Sequence, residues 1–300
     1  MASESIANNL WLSVTKSAFW TAVSPSNAHW QKNACQNCKV AVIACSSDAY
    51  RKALQELQKC GFCNVSHCQA VLGAELQRES IDSLLTVRAL QNVQTRRRES
   101  FFDVHSVNAL GCYLSHVYLW TKVANGDFGQ RLFVCEEDVC APQQNAMNLK
   151  KTVGLLVEEA GGVSNFDILW LSAQSTYHHG GKEQRVDFTE HLFRTKGPLQ
   201  CTQAYVLTQR GARKLLQDCL PTDIVTDAYL WHMARKYDDF VLLVPKSGPL
   251  FEHSVFNFLH SSIGYSLFDT LSIIVPVQYR IYTFLMLTAF VLCCAPCLVV

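Results

Sequence analysis

The chain has 300 residues, 49% of them apolar, with 26 Lys+Arg against 25 Asp+Glu and a formal net charge of +1. That apolar share can fill a sizeable core, and a charge so close to zero leaves no global field to recruit nucleic acid or an anionic membrane, so an anionic ligand has to be held by a local site. A metal-dependent nuclease is excluded on the same ground, because binding a phosphate backbone needs a basic surface.

In chain order, residues 1–38 are mixed in character. The first twenty lack the basic start and continuous apolar run of a secretory signal, which places the main domain on the cytosolic side. Fourteen cysteines in a long chain without an export signal read mostly as reduced, small, buried apolar residues. Residues 39–45 predict a buried strand and residues 48–59 the helix that returns from it, with Asp48 near the helix start. Cys35 and Cys38 form one CxxC pair and Cys60 and Cys63 another, with His67 and Cys68 close by. Such spacing can mark a structural zinc site, at the sheet edge where the strand begins and the helix ends; free use of cysteine throughout the chain is the competing explanation. Arg96, Arg97 and Arg98 read as a solvated basic run.

Residues 107–140 hold an apolar-faced helix, a short polar turn, and a strand over 131–135 that is apolar enough to be buried on both faces. Glu136, Glu137 and Asp138 follow directly and should emerge at the C-terminal rim of a parallel sheet, where open α/β folds bind ligands. Adjacent carboxylates raise one another's pKa, and a hard divalent cation removes that conflict. Mg²⁺ and Mn²⁺ are commonly held by one or two carboxylates together with substrate phosphates, so Glu136 and Asp138 suit a nucleotide-diphosphate site. The plain alternative is a solvated acidic turn.

A helix is expected over residues 149–159, ended by Gly161 and Gly162. Residues 174–200, with Tyr177, His178, His179, Gly180 and Gly181, read as a long loop suited to a lid or to binding an acceptor. A further helix begins near Asp227 and ends near Lys236. The alternation of strand and helix predicts an α/β fold. Residues 281–300 carry no formal charge and as a helix would reach about 30 Å, the thickness of a bilayer core, which predicts a single C-terminal membrane anchor flanked by Tyr279, Arg280 and Tyr282. A buried C-terminal helix is the alternative. The chain thus divides into an N-terminal segment 1–38, a main domain 39–262, a juxtamembrane segment 263–280 and the anchor 281–300.

Several ordered motifs carry a family likeness. Gly111-Cys112-Tyr113-Leu114-Ser115-His116, with Trp120 after it, and Val134-Cys135-Glu136-Glu137-Asp138-Val139 resemble glycosyltransferase family 25, which includes lipopolysaccharide-type and procollagen galactosyltransferases. Its pattern reads G-C-x-x-S-H, then an apolar helix ending near Trp, then an apolar strand closing on E-D-D-V. Phe166-Asp167-Ile168-Leu169-Trp170-Leu171 is similar to its W-D-x-x-x-L strand, with Phe166 in place of Trp. Ala204-Tyr205, Thr208, Gly211-Ala212 and Leu215-Leu216 follow its A-Y-x-x-S-x-x-G-A-x-x-L-L, with Thr208 for Ser, and residues 220–230 resemble its Pro- and Asp-containing segment. The likeness spans residues 40–260.

This resemblance implies a GT-A-like nucleotide-sugar-binding fold and an inverting transfer of galactose or glucose from a UDP-sugar to a hydroxyl of a glycan, lipid-linked or protein acceptor. It implies Mn²⁺ or Mg²⁺ on Glu136 and Asp138, and assigns Arg51 and Glu137 to the donor, Glu137 standing where the family has Asp. Direct displacement needs a base for the acceptor hydroxyl. Asp227 is the first choice, near a helix start where the dipole favours a carboxylate, and Asp223 the second; helix capping is the competing role for Asp227. A different class of function, a membrane-tethered binding or scaffolding protein that keeps the fold without transfer, stands as the alternative.

Overall fold

Side-chain alternation along a few buried strands settles which helices lie on which side. The computed structural model describes residues 39–97, 99–100, 102–142, 148–175 and 184–253. The chain runs β1 (Val40–Ala44), α1 (Ser47–Lys59), β2 (Val65–Gln69), α2 (Arg78–Leu84), α3 (Val87–Thr95), α4 (Val107–Ala124), β3 (Arg131–Glu136), β4 (Val139–Cys140) and α5 (Leu149–Glu159). It continues through β5 (Ile168–Trp170), β6 (Gln174–Ser175), β7 (Arg185–Asp187), β8 (Leu192–Thr195), β9 (Leu199–Gln200), β10 (Ala204–Thr208), α6 (Gln209–Leu215), α7 (Thr226–Lys236), β11 (Leu242–Pro245) and β12 (Glu252–His253).

Eight strands form the main sheet in the order β2-β1-β3-β10-β5-β11-β8-β7. Because side chains alternate across a strand, Ala41, Ile43, Leu132, Val134, Tyr205 and Leu207 face one side with residues of α4, α6 and α7. Val40, Val42, Ala44, Phe133, Cys135 and Val206 face the other with residues of α1 and α5. The result is a three-layer α/β/α arrangement, as the alternation of strand and helix signals predicts.

The sheet is mixed rather than parallel. β1 runs parallel to β2 and β3, but β10 lies antiparallel between β3 and β5. An apolar pentapeptide such as Ala204–Thr208 states that it is buried and says nothing of its direction, which is why the parallel rim expected from the sequence is here half antiparallel. The consequence is local to the site: the segment entering β10 arrives at the edge where β3 ends. The expected long loop over 174–200 is also corrected where it is described, because β7 and β8 pair as an antiparallel ribbon on the sheet's outer edge and β6 pairs with β9. All three residues of β7 are exposed, Val186 among them, and three residues are too few for their alternation to mark a strand.

Helix α4 is the internal strut, and its start is fixed by Ser106, whose side chain accepts from the Ala109 N–H. Gly111 lets the helix touch the chain leaving β2: a Cβ there would lie 2.5 Å from the Val71 carbonyl oxygen and 2.7 Å from the Gly73 nitrogen. Ser115 completes the contact, accepting from the Val71 N–H at 2.8 Å and donating to the Gly111 carbonyl at 2.8 Å. Since only backbone could yield, Gly111→Ala should destabilise the domain by about 1–3 kcal/mol, read as a lowered denaturant midpoint with an unchanged slope.

Among the described residues no helix is long and apolar enough to cross a membrane. The anchor predicted over 281–300 lies outside them, as do Tyr279, Arg280, Tyr282, residues 1–38 with Cys35 and Cys38, Arg98, and residues 177–181.

Candidate active site

Glu136 is the last residue of β3, and the strand's alternation turns it toward α4: Cys135 belongs to the α1 and α5 side, so the next residue faces the other way. Its register partner on β1 is Ile43. On the α4 side its carboxylate lies 3.4 Å from Nε2 of His116, a fully buried ring. Nδ1 of the same ring contacts the Tyr205 hydroxyl at 2.9 Å, and that hydroxyl also accepts from Nε1 of Trp120 at 3.0 Å. Cys112, one helical turn before His116, brings its sulfur into the same group. The G-C-x-x-S-H signature therefore has two faces, Gly111 and Ser115 holding the β2 connection while Cys112 and His116 meet the acid.

Glu137 turns elsewhere. Its carboxylate accepts the Cys45 N–H at 2.7 Å, which ties the end of β3 to the end of β1. Burial first, then the charge of Glu137, pushes the Cys45 thiol up to about 11. Asp138 is half-buried in the tight turn before β4.

Asp227 reaches the same rim from α7. The residue at the helix cap is Val225, which offers no side-chain hydrogen bond, and Asp227 lies in the first turn, where its carboxylate accepts the Cys201 N–H at 3.3 Å. Desolvation by burial raises its pKa to about 6, opposed by that N–H and reinforced by the negative charge of Glu136. The thiols of Cys112 and Cys201 record the same convergence, for both are pushed well above their ordinary value by burial and then by the charges of Glu136, Asp138 and Asp227. Three carboxylates from two distant parts of the sequence thus act on one space.

Cys201 holds the far wall in an unusual conformation. Its φ of +79° lies in the left-handed region that a side chain disfavours. The conformation is held by the N–H to Asp227 and by a carbonyl that accepts from Trp170 Nε1 at 2.7 Å and from Ser172 at 2.6 Å. Strained backbone of this kind gathers at functional sites.

The other residues singled out from the sequence lie apart from this cluster. Asp223 pairs with Arg88 at 2.9 Å, and Arg88 also reaches the buried Asp103 at 3.2 Å, so Asp223 joins the segment before α7 to α3. Arg51 is exposed in the second turn of α1 and pairs with Asp48. Of the proposed zinc ligands that are described, Cys60 is buried and donates to the Glu56 carbonyl, Cys63 is exposed, and His67 stacks on Tyr50. Among the described residues the group of three or more His, Cys, Asp or Glu with ligand atoms close enough for a metal is instead Cys112, His116 and Glu136. The sequence signal for it was the i, i+4 spacing of Cys112 and His116; nothing in the sequence pointed to Cys201.

Three solved structures are similar at low identity. One is a UDP-glucose pyrophosphorylase complexed with UDP-glucose (11% identity, TM-score 0.40, covering 73% of this chain and 92% of that one). A second is the inositol-1-phosphate CTP transferase from T. maritima (14%, TM-score 0.34, 72% and 89%), and a third is residues 1–349 of S. aureus TarS (12%, TM-score 0.36, 82% and 72%). None of the curated protein sequences matches this chain. Residues 51–230, which contain α4, the carboxylates of Glu136 and Asp138 and the start of α7, match the model of glycosyltransferase family 25 (LPS biosynthesis protein). The chain belongs to that family and is a glycosyltransferase.

Proposed function

We propose that the enzyme moves a hexose, galactose or glucose, from a UDP-sugar to a hydroxyl of a glycan or glycoconjugate, with inversion, on a GT-A-type fold. The observation that carries this reading is a carboxylate poised near neutrality, Asp227 at about 6, facing an acidic pair at the C-terminal rim of the sheet. A base must be ionised at working pH yet able to take a proton, and that value meets both demands.

The acidic side of the rim fits a divalent cation. Glu136 and Asp138 supply the oxygen donors that Mn²⁺ and Mg²⁺ prefer, and the mutual repulsion recorded at Asp227 is what a positive ion would relieve. When bound, such an ion neutralises charge on the departing nucleotide. The remaining work belongs to the protein's own groups. Asp227 takes the proton of the acceptor hydroxyl, Glu137 keeps the ends of β1 and β3 in register, and Cys201 holds Asp227 in place through its N–H. Residues 281–300 tether the domain to a membrane, with the active site on the cytosolic face.

Binding measurements on the full chain test the reading. UDP should bind more tightly with Mn²⁺ present than without it, and Asp138→Ala should abolish that coupling while leaving the melting temperature near that of the parent. Equal UDP affinity with and without the metal would count against it. Slow hydrolysis across a panel of UDP-sugars would identify the donor.

A further inference from the structure

Beneath the acidic rim lies a group with a different donor chemistry. The ligand atoms of Cys112, His116 and Glu136 all lie within 4.8 Å of one another. The His116 ring is fully buried, and its Nε2 makes no hydrogen bond although a carboxylate oxygen of Glu136 is 3.4 Å away. An enclosed polar atom left in that state is costly and calls for an explanation.

A tetrahedral cation supplies one. With zinc bound at about 2.0–2.1 Å to nitrogen and about 2.0–2.2 Å to oxygen, two ligands at the tetrahedral angle stand about 3.4 Å apart. That is the separation found between Nε2 and the Glu136 oxygen.

The surroundings of the ring are those a metal ligand needs. Tyr205 takes the Trp120 N–H on its hydroxyl oxygen, and the second lone pair of that oxygen can accept Nδ1–H of His116, leaving Nε2 bare. An oxygen partner on the far nitrogen is the usual way a ligating histidine is oriented. Cys112 and Glu136 retain some exposure, so the group opens toward solvent on one side while its histidine is sealed.

We propose that Cys112, His116 and Glu136 form a mixed sulfur, nitrogen and oxygen site for a borderline divalent cation of the Zn²⁺ or Co²⁺ type. Thiolate and imidazole favour such ions over Mg²⁺, which keeps to oxygen. The inference goes beyond the function proposed above: it names a second ion, of a softer class than the Mn²⁺ or Mg²⁺ assigned to Glu136 and Asp138, and it meets that reading only in the shared Glu136 carboxylate. The thiol proton of Cys112 leaves to solvent as the sulfur binds, so one proton is released per ion.

Co²⁺ added to the metal-free full chain is the probe. The parent should show a near-ultraviolet charge-transfer band from sulfur to cobalt. Cys112→Ser should lose it while the melting temperature stays unchanged, and its Co²⁺ affinity should fall about tenfold or more, with Mg²⁺ affinity unaffected. His116→Gln should weaken Co²⁺ by about 10–100-fold, the range seen when a ligand shell is disturbed. Identical cobalt spectra for the parent and Cys112→Ser would overturn the proposal. Measuring Mn²⁺-dependent UDP binding on the same samples separates the two readings: coupling without the sulfur band sinks only this site, and the band without coupling sinks only the nucleotide-sugar role.

Discussion

Asp227→Asn should lower kcat by about 10²–10⁴-fold while leaving Mn²⁺-dependent UDP binding in place, the loss expected when a general base is removed. The amide keeps the size of the side chain and an oxygen for the Cys201 N–H, so a steady-state assay reads the proton-accepting role rather than a collapsed site. In the parent enzyme, transfer should rise with pH as Asp227 ionises, with a limb near 6 in the absence of the cation and at lower pH once a positive ion neutralises Glu136. A flat profile from pH 4 to 8 with an active Asp227→Asn variant would remove Asp227 from the chemistry.

The same carboxylate has a cost in stability, and its sign follows from the direction of the shift. An acid whose folded pKa lies above its ordinary 3.8 holds its proton more tightly in the folded chain. Its contribution is therefore present below 3.8 and is lost as pH rises through about 6. At neutral pH, Asp227→Asn should accordingly stabilise the domain, by on the order of 2 kcal/mol given about 1.4 kcal/mol per pKa unit and the residual exposure of the side chain. A variant that is more stable and nearly inactive is the signature of a group retained for function.

Asp167→Ala should do the opposite. This fully buried carboxylate accepts from Arg210 at 2.8 Å, from Lys214 at 3.1 Å and from the Val241 N–H at 2.7 Å, joining α6 to the strands β5 and β11. Removing one partner of such a group leaves the others without their acceptor and costs about 3–5 kcal/mol. For a domain of this size that is a fall in melting temperature of roughly 6–20 °C. Turnover per folded molecule should hardly change, because Asp167 is not among the carboxylates that act on the rim. A calorimetric scan alongside an active-site titration checks both halves.

How much of this was legible in the sequence depends on whether the signal was local. The β1-α1 unit, β3 and α5 fall where their apolar runs and flanking polar residues place them, since burial and helix signals act over a few residues. The position of Glu136 at a rim followed from the end of an apolar run. Direction and partnership did not follow. Nothing in Ala204–Thr208 reveals that it runs against β3, and the alternation in the exposed Arg185–Asp187 is too short to betray a strand. Asp223 stood second to Asp227 as a candidate base, because its pairing with Arg88 spans 135 residues of chain and leaves no local trace. His116 was visible as a motif residue, but its place against Glu136 and Tyr205 depends on packing between α4 and two strands far from it in sequence.

The reversed direction of β10 bears on how such enzymes diversify. One half of the reaction centre is carried by strand ends and by α4, packed inside the domain and intolerant of change. The other half is Asp227 at the start of α7 and the connection over residues 196–203, which meets that carboxylate through the Cys201 backbone N–H. Under the proposed transfer, changes to that connection are expected to alter which alcohol is accepted while the strand-end carboxylates stay in place.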